Sequence, residues 1–137
     1  MKELAKKMVK KINEIDPFDL LNKFGKKSQG MDFILSYLSS KEGMVTAGEL
    51  AIKLNVSTAR IAVLLKKLEK QGFIEKTVSH HDGRVTIVTI TEKGEKHVEE
   101  EMEKSISLMK KILKKVDISE INEFIRIANK IKESINW

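Results

Sequence analysis

TAGELAIKLNVSTARIAVLLKKLEKQGFIEKTVSHHDGRVTIVTITEKG, residues 46–94, is the stretch around which the rest of this chain is organised. Thr46 followed three residues later by Glu49 has the spacing of a capping box, which predicts a helix starting there. Leu50, Ala51 and Leu54 give that helix one apolar face. Asn55 and Val56 leave room for a tight turn, and Ser57 offers a second N-cap. From Ser57 the apolar residues Ile61, Leu64, Leu65 and Leu68 recur at helical spacing up to Gly72, a natural stop. Two short helices joined so closely make a helix-turn-helix.

After Gly72 the period changes. Phe73–Val78 and Arg84–Ile90 are rich in Val, Ile, Thr and Phe, and Asp82-Gly83 lies between them, so the pattern predicts a two-stranded hairpin. A helix-turn-helix followed by such a hairpin is a winged helix, and the expected fold class is mainly α with a small β-hairpin wing. Two amphipathic helices and a hairpin also occur in other small α+β domains. The tip favours the wing, because Arg84 beside Asp82 on an exposed turn has no packing purpose. Met44-Val45 is expected to add a minor strand against it.

The composition narrows the class. At 137 residues and 41% hydrophobic content, the chain can build one compact core, or one core with a dimerisation arm. No apolar run approaches the roughly 20 residues that span a membrane. The opening MKELAKKMVKKINEI lacks the uninterrupted apolar region of a signal peptide, so a soluble, cytoplasmic protein is expected. There is no cysteine, which removes disulfides, thiolate metal sites and thiol redox sensing. The formal charge of +6 is unevenly placed. Residues 53–84 carry seven Lys/Arg against three acids and residues 1–30 eight against four, whereas residues 92–137 carry ten of each. Positive charge concentrated on a helix-turn-helix and its hairpin points to nucleic acid.

The flanks read as helices. Leu4, Met8, Ile12 and Ile15 stripe a first one, Asp16-Pro17 restarts the chain for a short helix Phe18–Phe24, and Met31, Ile34, Leu35 and Leu38 define the next. Behind the hairpin, Thr91 caps a long helix expected to reach Val116, acidic in its first half and basic in its second, which complements the helix dipole. Ser119 is expected to start the last helix, with Ile121, Phe124, Ile125, Ala128, Ile131 and Ile135 on one side. Apolar stripes at both ends most simply bury each other across a two-fold axis, as a homodimer; the alternative packs both onto one subunit. The division is therefore residues 1–27 and 95–137 for a dimerisation arm and residues 28–94 for the winged helix.

In the second helix of the pair, burial of Ile61, Leu64, Leu65 and Leu68 turns Thr58, Ala59, Ala62, Val63 and Lys66 outward. Ser57, Thr58 and Arg60 occupy the first turn, the part of such a helix that meets base edges. Arg60 can read guanine O6 and N7 or hold a phosphate. Ser57 can cap the helix and leave its backbone N–H groups for a phosphate. Lys66, Lys67 and Lys70 suit phosphates better than bases. At the hairpin tip, Asp82 can hold Arg84 extended, and His80 and His81 are placed to meet phosphate. His97 and Glu101 have the (i, i+4) spacing of two metal ligands, but two ligands do not make a zinc site, so neither metal nor cofactor is expected. Ser57, His80 and Asp82 assemble into a triad only on paper, since no Gly-x-Ser-x-Gly elbow supports it, and an enzyme is not expected.

These residues resemble the MarR family of transcriptional regulators. The resemblance is carried by Glu49-Leu50-Ala51 before Leu54, Val56-Ser57 at the turn, and Leu68-Glu69 before Gly72-Phe73-Ile74. It continues through Asp82-Gly83-Arg84 in the wing and Ile90-Thr91-Glu92-Lys93-Gly94 closing it. It implies a dimer held by the terminal helices on a palindromic double-stranded DNA operator, with the recognition helix in the major groove and the wing arginine in the minor groove. It also implies a repressor released by a small aromatic or lipophilic effector, in a crevice for which Phe24, Met31, Leu35, Met109 and Leu113 are the candidate lining. The chain departs from the family at Ala62 and Val63, where polar residues are usual. The competing reading is a winged helix used for protein contacts, without a specific DNA site.

Overall fold

The computed structural model describes residues 1–15 and 30–135. The chain falls into two compact units, divided between Met102 and Glu103. In the first, α1 (Lys2–Glu14) is strongly amphipathic, yet none of its residues is buried. The expected helix Phe18–Phe24 lies outside the described residues.

The core of the first unit is built by three helices and a small sheet. α2 (Met31–Ser40) starts behind Gly30, whose φ of +104° is a left-handed conformation that glycine adopts without strain. It contributes Ile34, Leu35 and Leu38 to the core. α3 (Ala47–Leu54) adds Leu50 and Ala51, and α4 (Thr58–Lys70) adds Ile61, Leu64, Leu65 and Leu68. Val45, Ile74 and Val88 close the core from the sheet. Each fully buried Leu or Ile here is worth roughly 1.5–3 kcal/mol over its exposed state.

The link between α3 and α4 explains their close approach. Asn55 takes the left-handed conformation (φ 54°, ψ 49°), which asparagine tolerates better than most residues. Its N–H reaches Ile52 O at 3.1 Å, while the Val56 N–H reaches Ala51 O at 3.0 Å. That pair of bonds is a Schellman motif, and Val56 packs onto the core just beyond it. Ser57 then caps α4, its Oγ accepting the Arg60 N–H at 3.1 Å. α4 ends in a second Schellman motif: Gly72, at φ +81°, donates to Glu69 O at 2.9 Å and Phe73 to Leu68 O at 3.0 Å.

The sheet is antiparallel in the order β1-β3-β2. β2 (Ile74–Val78) pairs with β3 (Thr86–Ile90) from Ile74↔Ile90 to Val78↔Thr86. β1 (Val45–Thr46) pairs with Val88 and Ile87, one residue later than the expected Met44-Val45 strand. Both hairpin strands are shorter than the sequence pattern suggests. Phe73 is engaged in ending α4, and Arg84 belongs to the connecting turn.

α5 (Glu92–Ile112) is capped by Thr91, whose Oγ1 accepts the Gly94 N–H at 3.1 Å. It stops at Ile112 rather than Val116, because the ladder tightens there: Lys115 N–H bonds Ile112 O, three residues back. α6 (Ile118–Ile135) begins one residue before the expected Ser119. Glu120 Oε1 accepts the Asp117 N–H at 3.0 Å, which makes Asp117 rather than Ser119 the capping position. None of the residues of α6 is buried, and Phe124 is 65% exposed.

Candidate nucleic-acid interface

α4 is fixed in rotation by its four buried aliphatics, and the opposite side is what it offers to solvent. Ser57, Thr58, Ala59, Ala62, Val63, Lys66 and Lys67 are all exposed, as the sequence periodicity requires, whereas Arg60 is half-buried. Lys70 continues the exposed face. On the flank, Glu69 meets Lys76 of β2 at 3.5 Å, a surface pair worth little by itself.

The wing tip is a structured turn. Ser79 N–H donates to Val85 O at 2.9 Å, one step beyond the last strand pair, and Val85 N–H donates to Asp82 O at 3.0 Å. The Asp82 carboxylate organises the rest. Its Oδ1 accepts the Arg84 backbone N–H at 2.9 Å and the Arg84 Nε–H at 3.2 Å, and its Oδ2 lies 3.5 Å from Nη2. These bonds hold the Asp82 carboxyl below its usual range, the backbone N–H of Arg84 first and its guanidinium second. The Arg84 side chain is still 92% exposed, so it is oriented without being covered. His80 and His81 are exposed beside it, and the His81 N–H donates to Ser79 Oγ at 3.2 Å. A preset cation on a rigid turn loses little rotamer freedom when it enters a narrow, electronegative groove.

Behind these surfaces are residues whose part the sequence pattern did not reveal. Glu49 supplies its backbone N–H to Thr46 Oγ1 at 3.1 Å, as a capping box requires. Its carboxylate, however, accepts from Lys41 Nζ and from the Tyr37 hydroxyl, tying α2 to α3. Those two bonds, Lys41 first, hold the Glu49 carboxyl below its usual range. Ser39 Oγ donates to Glu95 Oε2 at 2.6 Å, which ties α2 to α5. His97 stacks on Phe73 with ring centroids 4.5 Å apart, so its ring serves the packing of α5 on the wing. Among the described residues no group of three or more His, Asp or Glu side chains gathers as a metal site would require.

The candidate crevice residues are divided. Leu35 is buried in the winged-helix core and Met31 packs against it, Met109 and Leu113 belong to the second unit, and Phe24 lies outside the described residues. No described helix is long and apolar enough to cross a membrane.

Comparison with known proteins agrees with this geometry. The model of the winged helix DNA-binding domain family matches residues 33–113. A relative from Bacillus subtilis, an uncharacterised HTH-type transcriptional regulator, is 26% identical over 92 residues, covering 67% of this chain and 56% of that protein. A riboflavin kinase from Pyrococcus furiosus is 46% identical over 59 residues, which is 43% of this chain but 26% of the kinase. The chain thus spans about half, and about a quarter, of the length of these two relatives. Among solved structures, a MarR family protein from Bacillus stearothermophilus superposes with a TM-score of 0.69 at 22% identity, covering 100% of this chain and 99% of that one. The shared architecture is the winged helix of the MarR-family regulators, with helices on both flanks.

Proposed function

This chain belongs to the winged helix DNA-binding domain family, and on that premise we propose that it is a sequence-specific transcriptional repressor binding a palindromic operator as a homodimer. The family supplies a winged helix DNA-binding domain, and the reading as a transcription regulator and not an enzyme is part of this proposal. The finer reading is carried by one observation: α4 and the wing present a cationic surface that the core does not use. α4 offers the exposed Lys66, Lys67 and Lys70, and the wing offers Arg84, held by Asp82 and 92% exposed.

In this reading, the first turn of α4 meets base edges in the major groove through Ser57, Thr58 and Arg60. Ala59, Ala62 and Val63 line the same face, Lys66 and Lys67 hold phosphates, and Arg84 enters the neighbouring minor groove with His80 and His81 near the backbone. Dimerisation supplies the second half-site. It is supported by the exposed apolar stripes of α1 (Leu4, Val9, Ile12) and α6 (Phe124, Ile131, Ile135), which are costly in water at ~25 cal/mol per Å². Residues 1–27 and 95–137 form the dimerisation arm, residues 28–94 the DNA-binding domain, and the site of action is the cytoplasm. Release by a small aromatic or lipophilic effector completes the proposal; it rests on the family resemblance, and aromatic acids that lower operator affinity would support it.

The test is a mobility shift of the full chain against genomic DNA fragments at two salt concentrations. Retention of a few fragments that survives the higher salt supports the repressor. Uniform, salt-labile retention, or none, overturns it in favour of a winged helix used for protein contacts.

A further inference from the structure

Three apolar residues occupy the part of α4 where polar side chains are expected. Steps of ~100° per residue place Ala59, Val63, Lys66 and Lys70 on the ridge opposite the buried stripe Ile61, Leu64, Leu65 and Leu68, with Ala62 alongside. Val63 is 46% exposed and its neighbours Ala59 and Ala62 are exposed too. Single exposed hydrophobics need no explanation. Here, however, they adjoin one another on a single face, and the first lysine of that face is Lys66.

The major groove contains one apolar group at base edges, the C5-methyl of thymine. Ala59 and Val63 are four residues apart, a separation of ~6 Å along the helix axis. Side chains one helical turn apart on a helix lying in the groove can meet the edges of different base pairs. Small aliphatic side chains at this spacing fit methyl groups and offer nothing to a guanine or cytosine edge. The surrounding Lys66, Lys67 and Lys70 supply the charge that keeps such a surface on DNA rather than on an apolar protein partner.

We infer that Val63, with Ala59 one turn before it, is a specificity-determining residue that reads thymine methyl groups in the major groove. The inference rests on the DNA-binding reading above and names what that site recognises. Direct polar readout is then left to Ser57, Thr58 and Arg60 at the start of α4, and the operator half-site contains thymine at the positions facing Val63 and Ala59.

Deoxyuridine provides the test, because it deletes the methyl group and leaves pairing unchanged. The full chain is used to enrich duplexes from a randomised library. Each thymine of the enriched duplex is then replaced singly by deoxyuridine, and affinity is measured by fluorescence anisotropy at one salt concentration. The expected result is a loss of about fourfold, the worth of one buried methyl group, at one or two positions in each half-site. With Val63→Ala, folding intact by circular dichroism, one of those positions should become insensitive while other thymines behave as before. Specific binding that ignores every deoxyuridine, or a Val63→Ala protein with unchanged sensitivity, overturns the inference and leaves the DNA-binding reading standing. Failure to enrich any sequence overturns both.

Discussion

A methyl group placed on Gly94 falls 2.3 Å from Phe73 O and 2.7 Å from Ile90 Cγ1. Phe73 O is anchored backbone, since it also accepts the Thr91 N–H at 2.9 Å. It cannot swing aside as the end of a side chain could. Restoring the ~3.5 Å at which non-bonded atoms rest means lifting the first turn of α5 from the sheet by about 1 Å. That movement loosens the two bonds made by Thr91 Oγ1, to Gly72 O at 2.6 Å and from the Gly94 N–H at 3.1 Å. Overpacking of this kind costs about 1–3 kcal/mol, and the better helix propensity of alanine returns up to ~1 kcal/mol. Gly94→Ala is therefore expected to destabilise the protein by roughly 1–2 kcal/mol. Gly48→Ala is the control: its Cβ meets only Thr46 Oγ1 at 3.9 Å, so it should be neutral or stabilising by up to ~1 kcal/mol. Urea denaturation of both variants reads the difference as a shift of midpoint at constant slope. A Gly94→Ala protein as stable as the wild type would refute the close approach of α5 to the wing.

Other expectations concern binding, assembly and acid. Arg84→Ala should weaken operator binding and reduce the salt slope by about one unit for each phosphate that is no longer neutralised, with the fold unchanged by circular dichroism; undiminished affinity would remove the wing from the interface. Replacing both Ile121 and Phe124 with Asp should give monomers or unfolded chain in sedimentation, and a wild type monomeric at micromolar concentration would contradict the dimer. Because Lys41 and Tyr37 depress the folded-state pKa of Glu49, its contribution is complete above the ordinary glutamate range and is lost as pH falls through the depressed value. Glu49→Gln should therefore flatten the acid limb of the stability curve, and an unaltered limb would show that the cluster contributes nothing.

Most of the helix-turn-helix was legible because its signals are local. Thr46 and Ser57 cap the helices that follow them, and the spacing of Ile61, Leu64, Leu65 and Leu68 sets which side of α4 faces out. What escaped depends on residues far apart in sequence. Glu49 satisfies half of a capping box, yet its carboxylate goes to Tyr37 and Lys41, twelve and eight residues away. His97 and Glu101 have the (i, i+4) spacing of two metal ligands, too few to predict a site, and the stacking of the imidazole on Phe73 was not legible. The need for glycine at position 94 likewise comes from the backbone of Phe73, which lies against it. Element ends were the other source of difference. Arg84 reads as strand by composition, although the Asp82 carboxylate draws it into the turn.

The claim that α4 and the wing read a DNA sequence is tested most directly by one affinity ratio. The wild-type chain is titrated, at a single near-physiological salt concentration, with its enriched duplex and with a scrambled duplex of equal composition. Binding to the enriched sequence is expected to be at least about a thousandfold tighter, the lower end of the range for specific DNA-binding proteins. Equal affinity for the two duplexes would contradict sequence reading by this surface.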